Sequence, residues 1–169
     1  KTATHHGKRA HTFGGAKNHC VVMPDANLEQ AAQAITGAAF GSAGERCMAI
    51  SVIVCVGSET SDKLLHCMKP LIDAIKVGSG DDENSDMGPL ISSTHQKRVL
   101  AAIDKGVEQG AKLIVDGRKF KHTSHPQGFF VGPTLFDEVT EDMSIYQEEI
   151  FGPVLIMVRA ADFSDAINL

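Results

Sequence analysis

Ile50-Ser51-Val52-Ile53-Val54-Cys55-Val56 is β-branched and almost wholly apolar, the pattern of a strand covered on both faces rather than one that alternates between core and water. Strands of this kind belong to parallel sheets whose crossovers are helices, and the flanking sequence supplies both. Upstream, Val21-Val22-Met23 reads as a short buried strand, and Pro24-Asp25-Ala26-Asn27 as a turn ending in an N-cap. Residues Leu28 to Phe40 follow as a helix, with Leu28, Ala31, Ala32, Ile35, Ala38 and Ala39 at helical spacing. Downstream, Ser58 or Thr60 opens a helix to about Lys76 that Pro70 kinks or divides, with Leu64, Leu65, Met68, Leu71, Ile72 and Ile75 as its buried stripe. Residues 77–90, rich in Gly, Asp and Ser, form a loop. Ser92 or Ser93 then opens a helix to about Gln109, which Gly110 terminates, and Ala111 to Val115 is a strand. Phe129 to Phe136 is a further strand broken by Gly132-Pro133, and Val154 to Val158 a last one before a C-terminal helix. The fold class is α/β, an open, mainly parallel sheet flanked by helices.

Composition narrows the function classes. At 169 residues there is room for one α/β domain with a real core. A formal charge of −5 without long like-charge blocks or a basic patch argues against nucleic acid and against a membrane surface as partners. The polar start has no apolar signal-peptide core, and no apolar run is long enough to span a bilayer, so the cytoplasm or an organelle matrix is expected. Cysteines 20, 47, 55 and 67 lack CxxC spacing and are read as reduced. The chain begins without an initiator methionine and ends within an uncapped amphipathic pattern, residues 162–169, which predicts a larger parent.

Chemistry concentrates at Cys47, which closes Phe40-Gly41-Ser42-Ala43-Gly44-Glu45-Arg46-Cys47. Glycines leave room for a substrate and the Arg46 cation favours thiolate over thiol, which is how a nucleophile is made; a structural thiol is the alternative. Metal chemistry finds no support. Asp81-Asp82-Glu83-Asn84 lacks the EF-hand spacing, and the eight histidines fall in unrelated elements without a zinc pattern, as scattered surface residues do.

Three segments together resemble the aldehyde dehydrogenase superfamily: Gly14-Gly15-Ala16-Lys17-Asn18, the run ending at Cys47-Met48-Ala49, and Glu148-Glu149-Ile150-Phe151-Gly152-Pro153-Val154. Gly128-Phe129-Phe130-Val131-Gly132-Pro133-Thr134-Leu135 lies between the second and third, so the match covers almost the whole chain. The resemblance implies an aldehyde dehydrogenase catalytic domain. Cys47 is then the nucleophile that attacks the aldehyde carbon to give a thiohemiacetal, from which hydride passes to NAD and leaves a thioacyl enzyme. Glu149 matches the carboxylate that holds the nicotinamide ribose hydroxyls, and Phe151 the aromatic beside it. The oxyanion donors are the cysteine's own N–H and an Asn from a part of the parent that this chain lacks. No G-x-G-x-x-G occurs here. Residues 1–169 are therefore expected to be a partial catalytic domain, without the cofactor-binding domain and the C-terminal region.

One departure refines the expectation. Hydrolytic members carry a Glu in E-L-G-G-K, thirty-four residues before the cysteine, as general base for water; here that position is Phe13. Phenylalanine cannot accept a proton, and a thiol such as coenzyme A suits thioester exchange better than water does. Gly15-Ala16-Lys17-Asn18-His19 and Gly44-Glu45-Arg46-Cys47-Met48-Ala49 also resemble the acylating branch typified by methylmalonate-semialdehyde dehydrogenase. That branch implies NAD as cofactor and coenzyme A as co-substrate. Malonate or methylmalonate semialdehyde would be oxidised to acetyl-CoA or propionyl-CoA with loss of CO2, in a homodimeric or homotetrameric parent. Arg46 then pairs with the substrate carboxylate, or else serves thiolate stabilisation or a salt bridge. Glu45, at a place often Gln in relatives, is not assigned the missing base role. The competing readings are a hydrolytic enzyme that recruits another base such as Glu149 and yields a free acid, and an inert module with this fold.

Overall fold

Five strands form one sheet in the order β1-β2-β5-β4-β3, comprising β1 (His19–Val22), β2 (Val52–Val56), β3 (Lys112–Val115), β4 (Thr134–Asp137) and β5 (Val154–Ala160). The structure, a computed structural model, describes residues 1–11 and 14–169. The helices are α1 (Thr2–His5), α2 (Leu28–Phe40), α3 (Ser58–Asp73), α4 (Ser93–Glu108), α5 (Ser144–Gln147) and α6 (Phe163–Asn168). Strands β1, β2, β5 and β4 are parallel, with Val52 opposite both His19 and Ile156, and β3 closes the edge antiparallel to β4. All five residues of β2 are buried, so both of its faces are covered, as its unbroken apolar run requires. Helices α2 and α3 pack on each other, and α3 and α6 pack on β2 and β5. No helix among the described residues is long and apolar enough to cross a membrane.

Local signals set most boundaries. Asn27 caps α2 by accepting from the Gln30 amide at 3.1 Å, and Ser92 caps α4 by accepting from that of His95 at 3.2 Å. Three expectations change. The strand read as buried Val21-Val22-Met23 is β1, His19–Val22, at the edge of the sheet, where Val21 is exposed and only Val22 is buried. The 129–136 strand begins only at Thr134, because Pro133 has no N–H for the ladder and Gly132 N donates to Gly117 O at 2.9 Å, outside the sheet. Phe130 and Val131 are still buried, but Phe130 O accepts from Gln96 of α4 rather than from a strand. Helix α3 starts behind Gly57, at φ 86°, and neither Ser58 nor Thr60 caps it. It ends at Asp73 rather than near Lys76. Pro70, in its last turn, leaves it undivided because only one interior hydrogen bond is missing so close to the end.

The topology places the chemistry-bearing segments together. Asn18 immediately precedes β1, Ser51 precedes β2, and Gly152-Pro153 precede β5. Three adjacent parallel strands therefore deliver their incoming loops to one edge, the amino ends of the sheet.

Candidate active site

Asn18 is the central tie at that edge. Its carbonyl accepts from the amides of Ser51 and Val52, both at 3.1 Å, while its own N–H donates to Ser51 Oγ at 3.1 Å. Its side-chain Nδ2 donates to Cys47 O and Ala49 O, each at 2.8 Å. One amide group thus holds the backbone on both sides of Met48 and sets where the cysteine emerges.

The approach to Cys47 is a left-handed turn. After α2 the chain passes through Ser42 and Ala43, both at φ 53°, and Gly44 at φ 69°. Side chains adopt this region at a cost of roughly 1–2 kcal/mol each, so the turn persists only where its surroundings hold it. Gly44 is required twice over, since a Cβ there would also lie 2.2 Å from Gly152 O. That contact seats the cysteine turn directly on the Gly152 backbone. Arg46 turns back on α2, its Nη2 donating to Ala38 O at 2.8 Å and Gly37 O at 3.3 Å, where it supplies donors for the last helical carbonyls. The residue is otherwise exposed.

Cys47 is the exposed member of four free thiols. Cys55 lies in the core, where burial pushes its thiol up to about 12, and burial also raises that of Cys20. Both are correspondingly poor nucleophiles.

Across the cleft lies Glu148-Glu149-Ile150-Phe151. The two carboxylates differ: Glu148 is exposed and lies 4.0 Å from Lys105, whereas Glu149 is half-buried, with Oε2 3.3 Å from where a Cβ on Gly15 would stand. Lys17 Nζ fastens this loop by donating to Ile145 O at 2.6 Å and Glu148 O at 2.8 Å. Desolvation lowers the Lys17 ammonium to about 8 against the opposing pull of Glu149 and Glu148. Phe151 adopts φ 55° and keeps 39% of its surface exposed. The resulting cleft is lined by Asn18, Gly44, Arg46, Glu149, Phe151 and Gly152.

The structure therefore brings Cys47, Arg46, Glu149 and Phe151 to one edge of the sheet. Phe13 lies outside the described residues. Sequence reasoning missed His95 and the use made of Asn18 and Lys17. Rather than a scattered surface histidine, His95 has a side chain only 12% exposed, with Nε2 2.6 Å from Phe151 O and 3.3 Å from Glu45 Oε1. No periodicity or spacing links positions 45, 95 and 151. Asn18 and Lys17 lay inside a recognised motif, but their partners are backbone carbonyls, which carry no residue-type signal. Among the described residues no group of three or more His, Cys, Asp or Glu could hold a metal ion. In the acidic loop, Asp82 Oδ1 accepts from the backbone and side chain of Asn84.

Comparison with known proteins identifies the family. Residues 1–169 match the model of the aldehyde dehydrogenase family. The chain is 53% identical over 166 residues to the malonate-semialdehyde dehydrogenase of Pseudomonas aeruginosa, covering 98% of this chain and 33% of that protein. It is 48% identical to malonate-semialdehyde dehydrogenase 1 of Oceanobacillus iheyensis, covering 100% of this chain and 34% of that one. Among solved structures, it superposes with a TM-score of 0.95 and 53% identity on a Sinorhizobium meliloti 1021 protein, assigned as a methylmalonate-semialdehyde dehydrogenase and complexed with NAD, covering 99% of this chain and 34% of that one. For the methylmalonate-semialdehyde dehydrogenase of Oceanimonas doudoroffii the TM-score is 0.94 at 50% identity, with coverage of 99% and 34%. The chain thus spans about a third of the length of the relatives it matches. With the family model matched from end to end and identity near one half to its relatives, the chain belongs to the aldehyde dehydrogenase family.

Proposed function

We propose that this chain is the catalytic part of an NAD-dependent, coenzyme-A-acylating semialdehyde dehydrogenase. It would convert malonate or methylmalonate semialdehyde to acetyl-CoA or propionyl-CoA with loss of CO2, in a homodimeric or homotetrameric parent. The observation that carries the reading is an exposed Cys47, held through its own carbonyl by Asn18 on the same sheet edge as Glu149 and Phe151. The semialdehyde relatives at about half identity support the substrate class.

Each residue has a role its geometry allows. Cys47 Sγ adds to the aldehyde carbon, and the oxyanion so formed would take a hydrogen bond from the Cys47 N–H. Collapse of that oxyanion expels hydride from the same carbon and leaves a thioester on Sγ. A bound nicotinamide dinucleotide supplies the hydride acceptor. The residues present fit its ribose end: Glu149 offers a half-buried carboxylate for two vicinal hydroxyls, and Phe151 offers an exposed aromatic surface. Arg46 commits Nη2 to α2, which leaves Nε and Nη1 as donors for a substrate carboxylate. A coenzyme A thiol then exchanges with the enzyme thioester, with Phe13 in place of a general base for water. A cytoplasmic location, or the mitochondrial matrix in a eukaryote, goes with this reading because a thiolate nucleophile needs a reducing compartment.

Rapid mixing of the full-length protein with NAD and semialdehyde tests the proposal. The expected result is a burst of NADH equal to the active sites without coenzyme A, steady turnover only with it, and acyl-CoA as product by mass spectrometry. Cys47→Ala should lower the burst rate by roughly a thousand-fold or more. Comparable turnover without coenzyme A, giving a free acid, would sink the acylating reading in favour of hydrolysis.

A further inference from the structure

Cys47 and Phe151 stand on separate loops, and the hydride chemistry proposed above needs the groups they carry held at a fixed separation. Gly44 against Gly152 seats one loop on the other through backbone. A second connection lies outside the three recognised segments. His95, in the first turn of α4, is anchored through its own amide to Ser92 Oγ. Its Nε2 lies 2.6 Å from Phe151 O, and because a carbonyl only accepts, Nε2 carries the proton. The same nitrogen is 3.3 Å from Glu45 Oε1, which also accepts from the Ile91 amide at 3.3 Å. Both side chains are largely covered, at 12% and 15% exposure, so these contacts form where water competes weakly. Glu45 is two residues before Cys47, and Phe151 adopts a left-handed φ of 55° that a non-glycine residue keeps only when its surroundings hold it.

We propose that His95 is a positioning residue whose Nε2–H, shared between Phe151 O and the Glu45 carboxylate, ties the Cys47 turn to the Phe151 turn and sets the distance between nucleophile and nicotinamide. The inference rests on the acylating reading for its catalytic consequence. Its structural content, coupling of the two turns, stands without it.

The test uses the full-length protein with two variants. His95→Phe keeps a ring and removes the donor, while His95→Gln keeps an amide donor that reaches about as far as Nε2. Three quantities are measured: the rate of Cys47 alkylation by iodoacetamide without cofactor, the KM for NAD and for semialdehyde, and the NADH burst rate at saturating NAD. In His95→Phe the alkylation rate should shift by about threefold or more, and the burst should slow about tenfold, the scale expected of a sub-ångström misplacement. The semialdehyde KM should stay within about twofold, and His95→Gln should recover alkylation and burst to within about twofold of wild type. Unchanged alkylation and burst in a folded His95→Phe would overturn the proposal, as would a His95→Gln variant no better than His95→Phe. If His95→Phe fails to fold, His95→Leu takes its place, with the same expected losses and the same overturning results. A wild-type protein without any burst would refute the acylating reading instead, and the coupling of the turns would then be judged on alkylation alone.

Discussion

Lys17 is half-buried, and its ammonium donates to two carbonyls of the loop that carries Glu149. The folded protein holds it at about 8, below its ordinary 10.5, because lost hydration outweighs the attraction of Glu149 and Glu148. Between those two values the unfolded chain binds more protons at this site than the folded one, so the Lys17 contribution to stability rises as pH climbs from 8 to 10.5. Below 8 its desolvation cost is fully present. Denaturant midpoints of wild type and Lys17→Met, compared at pH 8 and pH 10, should therefore move apart in the wild type's favour as pH increases; a constant difference would refute this. The motif announces Lys17 and Asn18 as residue types, but not their use. Their partners are the main-chain carbonyls of residues 145, 148, 47 and 49, and any residue supplies a carbonyl.

Among the elements, α2 and β2 follow from local patterning, and the left-handed turn between them does not. Helix α2 runs from Leu28 to Phe40, the span its apolar spacing predicts, and Asn27 caps it as its side-chain chemistry suggests. Gly-punctuated sequence signals a turn, yet no local pattern announces the positive φ of Ser42 and Ala43, in the turn that Gly44 seats on Gly152. Two glycines seven residues apart, in opposite environments, should respond oppositely to alanine. Gly44→Ala, whose methyl meets Gly152 O at a φ of 69° that is costly for alanine, should cost roughly 3 kcal/mol and slow Cys47 alkylation. Gly37→Ala, exposed on α2 with open space around the new methyl, should stabilise by about 0.5–1 kcal/mol. Thermal midpoints measured on both variants check the pair, and a loss at Gly37 or a neutral Gly44 would contradict it. The 129–136 strand shows a related limit: apolar content signalled burial correctly, but the absent proline N–H and a loop partner for Gly132 decided where pairing starts.

For the molecule as a whole, the sheet separates the edge that carries the candidate site from a structural one. At the carboxyl ends of β4 and β5, Arg159 donates to both oxygens of the fully buried Asp137, at 3.1 and 2.7 Å, and reaches Asp62 of α3 at 2.8 Å. Arg159→Met would strand a buried carboxylate and should cost about 3–5 kcal/mol, whereas the double variant Asp137→Leu with Arg159→Met should regain most of the loss. Chemical denaturation of the full-length protein reads both, and equal losses in the single and double variants would refute the argument. Cys47 alkylation should change little in the double variant, because the pair lies at the opposite edge from the cleft. The sequence by itself determined the fold class, the strand and helix of each β–α unit, the family, and Cys47, Arg46, Glu149 and Phe151 as the residues to watch, because periodicity, capping and motif order are local properties of the chain. Only the tertiary structure decided that these residues share the amino edge of the sheet, that Glu149 is turned inward while Glu148 stays in water, and that His95 joins them. Those relations are made by strand order and by hydrogen bonds to backbone atoms dozens of residues away, and such partners leave no trace in residue type.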